Sequence, residues 1–279
     1  DDFQDTDMTI PLDLITATFS KGHTAFMPYF TLGYPDYETS LDIVQACAEA
    51  GADLMELGIP FSDPLADGPT IQHSTQVALQ NGMTVARCLE AVGDLRKRGI
   101  DLPLMLMGYY NPILAYGEPR FVMEAAEAGV SGFIVPDLPP EEASVLDGLC
   151  HQHGMGITYL LAPTSTEERI RMVAERARGF TYLVSLTGVT GARGTLHPEL
   201  ESFIARARQY LSTPLAVGFG ISTVDQALKV ASMVEGVIVG SKLITIAGEA
   251  DNPAKACGAF VREIVIHTRA TRKFGPGIS

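Results

Sequence analysis

Apolar positions along the chain follow two alternating periods. Stretches such as Leu41, Val44, Cys47, Ala48 and Ile170, Val173, Ala174, Ala177 repeat at i, i+3, i+4, i+7, which is one face of a helix. Between such stretches lie short runs rich in β-branched and apolar residues. They predict strands near Ala25 to Leu32, Asp53 to Leu57, Leu102 to Met107, Gly132 to Val135, Ile157 to Leu161, Thr181 to Ser185, Pro214 to Val217 and Gly236 to Val239. Glycines at 51, 99, 129, 154, 179 and 236 stand where a helix ends and a strand begins, the place of a C-cap. Eight strands alternating with helices predict a parallel sheet. That number favours a closed (β/α)8 TIM barrel over an open doubly wound sheet.

The glycine spacing is uneven in one place. The intervals 129 to 154 and 154 to 179 are each 25 residues, whereas 51 to 99 is 48. The extra length follows the second strand and holds a loop and an added helix around Ile71 to Leu79, so this unit is enlarged on the face where barrel enzymes place their active sites. Leu12 to Ser20 reads as an extra N-terminal helix that closes the barrel bottom. No composition shift or charge run divides the chain, and residues 1–279 read as one barrel domain with frayed tails at 1–8 and 273–279.

Composition narrows the function. The chain has 46% hydrophobic residues, no Trp and a formal net charge of −13, a balance that repels phosphate backbones and anionic headgroups. Nucleic acid and membrane are therefore poor partners. The acidic start Asp1-Asp2-Phe3-Gln4-Asp5-Thr6-Asp7 is unlike a secretory signal, and no apolar run reaches the roughly 18 residues of a membrane span. Cys47, Cys88, Cys150 and Cys257 lie far apart in helical patterns and read as buried free thiols. The expected location is the cytoplasm, or the plastid stroma of a eukaryote after removal of a transit peptide.

One stretch carries chemistry that a core does not need. Leu54-Met55-Glu56-Leu57-Gly58 begins as an apolar strand interrupted by a carboxylate, and Ile59 to Pro69 continues as a loop rich in proline, glycine and aspartate. The two-residue period sets Leu54 and Glu56 on one face; if Met55 and Leu57 pack on helices, Glu56 points into the barrel mouth. A buried Glu paired with an Arg or Lys, or bound to backbone amides, is the competing reading. Asp67, eleven residues on, adds a second acid in a polar loop, an arrangement that separates two pKa values. Asp63, in Ser62-Asp63-Pro64, is also consistent with turn chemistry alone.

Gly218-Phe219-Gly220-Ile221-Ser222 ends the seventh strand, Gly240-Ser241 the eighth, and Thr187-Gly188-Val189-Thr190-Gly191 follows the sixth. Glycines at these strand ends allow backbone N–H groups to cradle phosphate, which suits an acidic protein because amide dipoles need no basic patch. The segment Thr187 to Gly194, with Thr190 and Arg193, has the composition of a lid. Tyr29, Met107, Ile134 and Tyr182 read as inward residues, either a flat apolar slot or plain barrel filling. His151 and His153 lack a partner at metal spacing, so no metal site is read. No lysine falls on a strand, which disfavours imine chemistry.

Glu56 through Pro69 resembles the signature of the tryptophan synthase alpha subunit family. The similarity extends through Pro28-Tyr29-Phe30-Thr31-Leu32-Gly33, Ile71-Gln72, Tyr109-Tyr110-Asn111-Pro112, Pro136-Asp137-Leu138-Pro139, Tyr182 to Gly191, Gly218 to Ser222 and Gly240-Ser241. The resemblance implies a carbon-carbon lyase that cleaves indole-3-glycerol phosphate to indole and glyceraldehyde 3-phosphate without metal or cofactor. It implies Glu56 as the acid/base at indole C3, an ionised Asp67 on the indole N–H, and Tyr182 positioning Glu56 and substrate. Thr190 would close with the lid, and phosphate would sit on Gly191, Gly218, Gly220, Gly240 and Ser241. It also implies a pyridoxal-phosphate beta subunit as partner in an alpha2beta2 heterotetramer, receiving indole through a tunnel, with Asp63 and Asn111 near the interface. Two alternatives belong to the same scaffold: a stand-alone indole-releasing lyase, and a catalytically silent activator of the beta subunit. Tyr29 stands where many members carry Phe.

Overall fold

The computed structural model describes residues 10–185, 199–218 and 220–270. Its strands are β1 (Ala25–Thr31), β2 (Met55–Gly58), β3 (Leu104–Met107), β4 (Gly132–Ile134), β5 (Ile157–Thr158), β6 (Leu160–Leu161), β7 (Thr181–Val184), β8 (Leu215–Gly218) and β9 (Gly236–Val239). Around them lie α1 (Pro11–Phe19), α2 (Tyr37–Glu49), α3 (Pro69–Gln80), α4 (Val85–Lys97), α5 (Tyr110–Tyr116), α6 (Glu118–Ala128), α7 (Ser144–Gln152), α8 (Glu167–Arg176), α9 (Leu200–Arg208), α10 (Val224–Ala231), α11 (Ser241–Glu249) and α12 (Pro253–Ala270). The segments read as tails lie outside the described residues.

All strand pairs are parallel, in the order β5-β4-β3-β2-β1-β9-β8-β7-β6. The two ends of that order are consecutive in the chain. The predicted fifth strand is one segment split at Tyr159, because its first half bonds β4 and its second half bonds β7. Tyr159 itself bridges the seam, its carbonyl accepting the Tyr182 N–H at 3.1 Å. The eight-stranded barrel is thus present with its fifth strand in two pieces.

Alternation along each strand makes two cores. Phe26, Phe30, Met55, Leu57, Leu106 and Phe133 pack outward against the helices, whereas Met27, Leu54, Met105, Ile134, Ala216 and Ile238 fill the barrel. Glu56 shares the inward face with Leu54. The helix expected at the barrel bottom is α1, whose Ile15 joins the inner core, while Phe19 packs on Phe180 with ring centroids 5.5 Å apart.

Gly129 ends α6 with φ +89°, as a left-handed C-cap requires. Gly236 differs from its expected role. It opens β9 instead of capping a helix with positive φ, and a Cβ there would meet the Ala216 Cβ at 2.8 Å. Its glycine answers to close packing inside the barrel, not to a turn. At the base of β2, Asp53 is buried; it accepts the Phe26 N–H at 3.1 Å and lies 3.0 Å from His23 and 3.2 Å from Lys21. The chain leading into β2 is therefore pinned at the end opposite the mouth. All four cysteines are free and buried.

Candidate active site

β2 delivers Glu56 to the barrel mouth beside Tyr29 of β1 and Met105 of β3, its register partners. The side chain is fully buried, and neither carboxyl oxygen has a hydrogen-bond partner among the described residues. Among the described residues no Arg or Lys pairs with this acid and no backbone amide binds it. Burial drives its pKa well above the ordinary carboxylate range, which favours the protonated form. A buried polar group without a partner is costly for folding, which is why such a group marks a site that ligand completes.

Asp67 closes the cavity from the loop before α3. Its Oδ2 accepts the Tyr109 hydroxyl at 3.0 Å, and the Ala66 N–H donates to the same tyrosine oxygen at 2.9 Å. Gln72 donates to the Asp67 carbonyl at 2.9 Å. Burial raises the Asp67 pKa while the Tyr109 bond lowers it. Both acids are thus raised, Glu56 much further, so the two remain separated even though the loop is less polar than its composition suggested. We expect Tyr109→Phe to raise the Asp67 pKa further, since the ionised form loses a donor. If ionised Asp67 is required, the acid limb of the kcat/KM profile then moves to higher pH; an unmoved limb would show that Asp67 does not govern it.

The acids face a cavity lined by Tyr29, Glu56, Asp67, Ile71, Met107, Tyr182, Gly220, Ile221, Ile238, Gly240 and Ser241. Tyr182 is buried, and burial above all keeps its hydroxyl protonated. At the opposite end, Gly240 precedes α11 with no side-chain cap, leaving backbone N–H groups of the first turn available. By contrast, α10 is closed by a capping box between Thr223 and Gln226. Of the two helices after the last strands, α11 is the one built to receive an anion.

Most of the expected positions converge on the cavity wall: Glu56, Asp67, Tyr182, Tyr29, Met107, Gly220, Gly240 and Ser241. Two do not. Ile134 sits deeper, in the filled barrel core. Gly218 is absent from the wall; a Cβ there would stand 2.1 Å from the Tyr182 hydroxyl oxygen, so this glycine makes room for the tyrosine ring. Thr190 and Gly191 lie outside the described residues. Asp63 and Asn111 are exposed, on the loop before Asp67 and on α5. Ile71, Tyr109, Ile221 and Ile238 were not anticipated as site residues. Tyr109 and Ile238 were findable by carrying the two-residue strand period forward, Tyr109 from Met107 and Ile238 through β9.

Comparison with known proteins identifies the family. The family described as Tryptophan synthase alpha chain matches residues 15–270. The chain belongs to that family. A relative named Tryptophan synthase alpha chain from Dehalococcoides mccartyi is 50% identical over 250 residues, 90% of this chain and 97% of the relative. One of the same name from Chloroflexus aggregans is 48% identical, covering 92% of this chain and 98% of the relative. Among solved structures, tryptophan synthase subunit alpha from Legionella pneumophila superposes with a TM-score of 0.85 at 36% identity, over 92% of this chain and 98% of that one. Tryptophan synthase from M. tuberculosis gives 0.83 at 33% identity, over 92% and 97%. The TIM barrel of this family is the fold seen here. Among the described residues no helix is long and apolar enough to cross a membrane, and no group of three or more His, Cys, Asp or Glu is placed to hold a metal ion.

Proposed function

We propose that this chain is the lyase component of tryptophan biosynthesis, cleaving indole-3-glycerol phosphate to indole and glyceraldehyde 3-phosphate. The observation that carries this reading is the buried Glu56 carboxyl, without a hydrogen-bond partner among the described residues, sharing one cavity with Asp67 and the uncapped N-terminus of α11. An aromatic ring fits the acid end and a phosphate the helix end.

The residues supply each step. Glu56, protonated at rest, gives its proton to ring carbon C3, and the ring becomes cationic. Asp67 accepts the ring N–H and stabilises that charge. The Glu56 carboxylate then takes the proton of the hydroxyl on the carbon attached to C3. That carbon becomes the aldehyde carbonyl, the electrons of the breaking C–C bond return to the ring, and Glu56 ends protonated as it began. Tyr182 positions the acid and substrate. Gly220, Gly240 and Ser241, together with Gly191, hold the phosphate end, and Thr190 closes with the lid segment. The chemistry calls on no cofactor in this chain.

A beta subunit carrying pyridoxal phosphate is the partner that fits, in an alpha2beta2 assembly. Supporting it are apolar residues exposed beside the mouth, Leu65 at 94% and Leu114 at 53%, next to Asp63 and Asn111. A second, narrow cavity adjoins the first at Tyr29, Asp67 and Met107 and reaches Phe61 and Pro64, on the side of the exposed Leu65 loop. The test is indole release from indole-3-glycerol phosphate by the purified chain, alone and titrated with a beta subunit. Release that rises on titration supports the reading. Full turnover without any response makes the chain a stand-alone lyase, and stimulation of the partner without indole release makes it a silent activator.

A further inference from the structure

Tyr29 lies across the cavity wall between the two ends of the site. A Cβ at Gly240 would stand 3.0 Å from its ring Cδ1, and one at Gly58 would stand 2.1 Å from its hydroxyl oxygen. The ring therefore spans from the end of β9 to the end of β2, and its hydroxyl reaches the strand that carries Glu56. From there a chain of hydroxyls runs away from the cavity. Tyr29 meets Thr31 Oγ1 at 3.3 Å, Thr31 Oγ1 meets Ser74 Oγ at 2.8 Å, and Ser74 Oγ donates to the Ile71 carbonyl at 2.8 Å.

Each hydroxyl has one proton, and a carbonyl only accepts. The Ser74 proton is committed to Ile71, so Ser74 accepts from Thr31. The Thr31 proton is then committed to Ser74, so Thr31 accepts from Tyr29. Thr31 and Ser74 are both fully buried, and no other partner competes for these protons among the described residues. Burial first, then the Asp67 charge, raise the pKa of the Tyr29 hydroxyl and keep it protonated, against a smaller lowering by the Thr31 bond. A helix-backbone carbonyl thus sets the polarity of a group on the cavity wall.

We propose that Tyr29 is a specificity-determining residue whose oxygen is presented to the site as a hydrogen-bond acceptor, its own proton being held by Thr31 and Ser74. The site then prefers indoles bearing an N–H or O–H donor on the ring edge that faces β1 over those bearing an acceptor there. This rests on the reading of the cavity as an indole site.

Calorimetric dissociation constants for indole, the four benzo-ring aminoindoles and the four azaindoles test it without requiring turnover. They are measured on the unaltered protein, Tyr29→Phe, Ser74→Ala and Thr31→Val. At one ring position the amino compound should gain about tenfold over its aza counterpart relative to Tyr29→Phe. Ser74→Ala and Thr31→Val should remove that gain, because each breaks the chain and frees the Tyr29 proton to face the cavity. Equal amino-to-aza ratios in the unaltered protein and Tyr29→Phe would overturn the proposal, as would a gain that survives in Ser74→Ala or Thr31→Val. Failure of all indoles to bind would overturn the reading of the site as well, whereas binding with indifferent ratios overturns only the polarity. Should either chain-breaking variant not fold, the other carries the test, and the comparison with Tyr29→Phe decides if neither does.

Discussion

Glu56→Gln is expected to lose indole formation by roughly a thousandfold or more while becoming relatively more stable as the pH rises. The loss follows from one group serving twice. Glu56 is the donor to ring C3 and then the acceptor of the hydroxyl proton, and an amide does neither. The stability change follows from burial. In the unfolded chain Glu56 titrates as an ordinary glutamate, near 4.5, whereas in the folded protein burial holds its pKa well above that. Below the unfolded value both states keep the proton and the group contributes no pH dependence. Above it the unfolded chain releases the proton and the folded protein does not, so folding stability falls by about 1.4 kcal/mol per pH unit until the folded pKa is reached. Glutamine removes that slope. Urea unfolding of both proteins from pH 4 to pH 8, together with an indole assay, checks the two halves. Parallel stability curves would refute the buried neutral acid, and retained turnover would refute its catalytic role.

Gly218→Ala is expected to reduce kcat/KM by about a hundredfold, although Gly218 touches no part of the cavity. The added methyl would stand 2.1 Å from the Tyr182 hydroxyl oxygen and 2.6 Å from its ring Cζ, so the ring must move. Tyr182 is already packed in the inner core beside Ala216 and Ile238, which leaves displacement toward the substrate space as its way out. Overpacking of this kind costs about 1–3 kcal/mol of stability. Inhibition by inorganic phosphate separates this account from direct phosphate contact by Gly218. An unchanged inhibition constant with a shifted Tyr182 ring in a crystal structure is the expected result. Weakened phosphate inhibition with Tyr182 unmoved would return Gly218 to the phosphate site.

The architecture was legible because its cause is periodic. Two-residue and 3.6-residue repeats, punctuated by C-cap glycines, reflect which side of each element faces a core, and those signals lie within a few neighbouring residues. The seam at Tyr159 was not legible, since whether one extended segment bonds its two neighbours along its whole length depends on where those neighbours lie. Gly236 misled for a related reason: a glycine demanded by positive φ and one demanded by a neighbouring methyl look the same in one dimension.

At the site the division is similar. The sequence by itself determined the parallel α/β alternation, the inward face of β2 and thus the direction of Glu56, and the extra loop and helix that carry Asp67. Only the tertiary structure decided that Glu56 has no partner among the described residues, that Tyr109 holds Asp67, that α11 and not α10 offers an open N-terminus, and that Gly218 makes room for Tyr182. It also set the direction of the Tyr29 proton. Each of these depends on atoms brought together across strands distant in the chain, where partner, distance and burial set the pKa and the hydrogen-bond direction. Residue type and spacing specify which groups can meet on a face; packing in three dimensions decides which of them do.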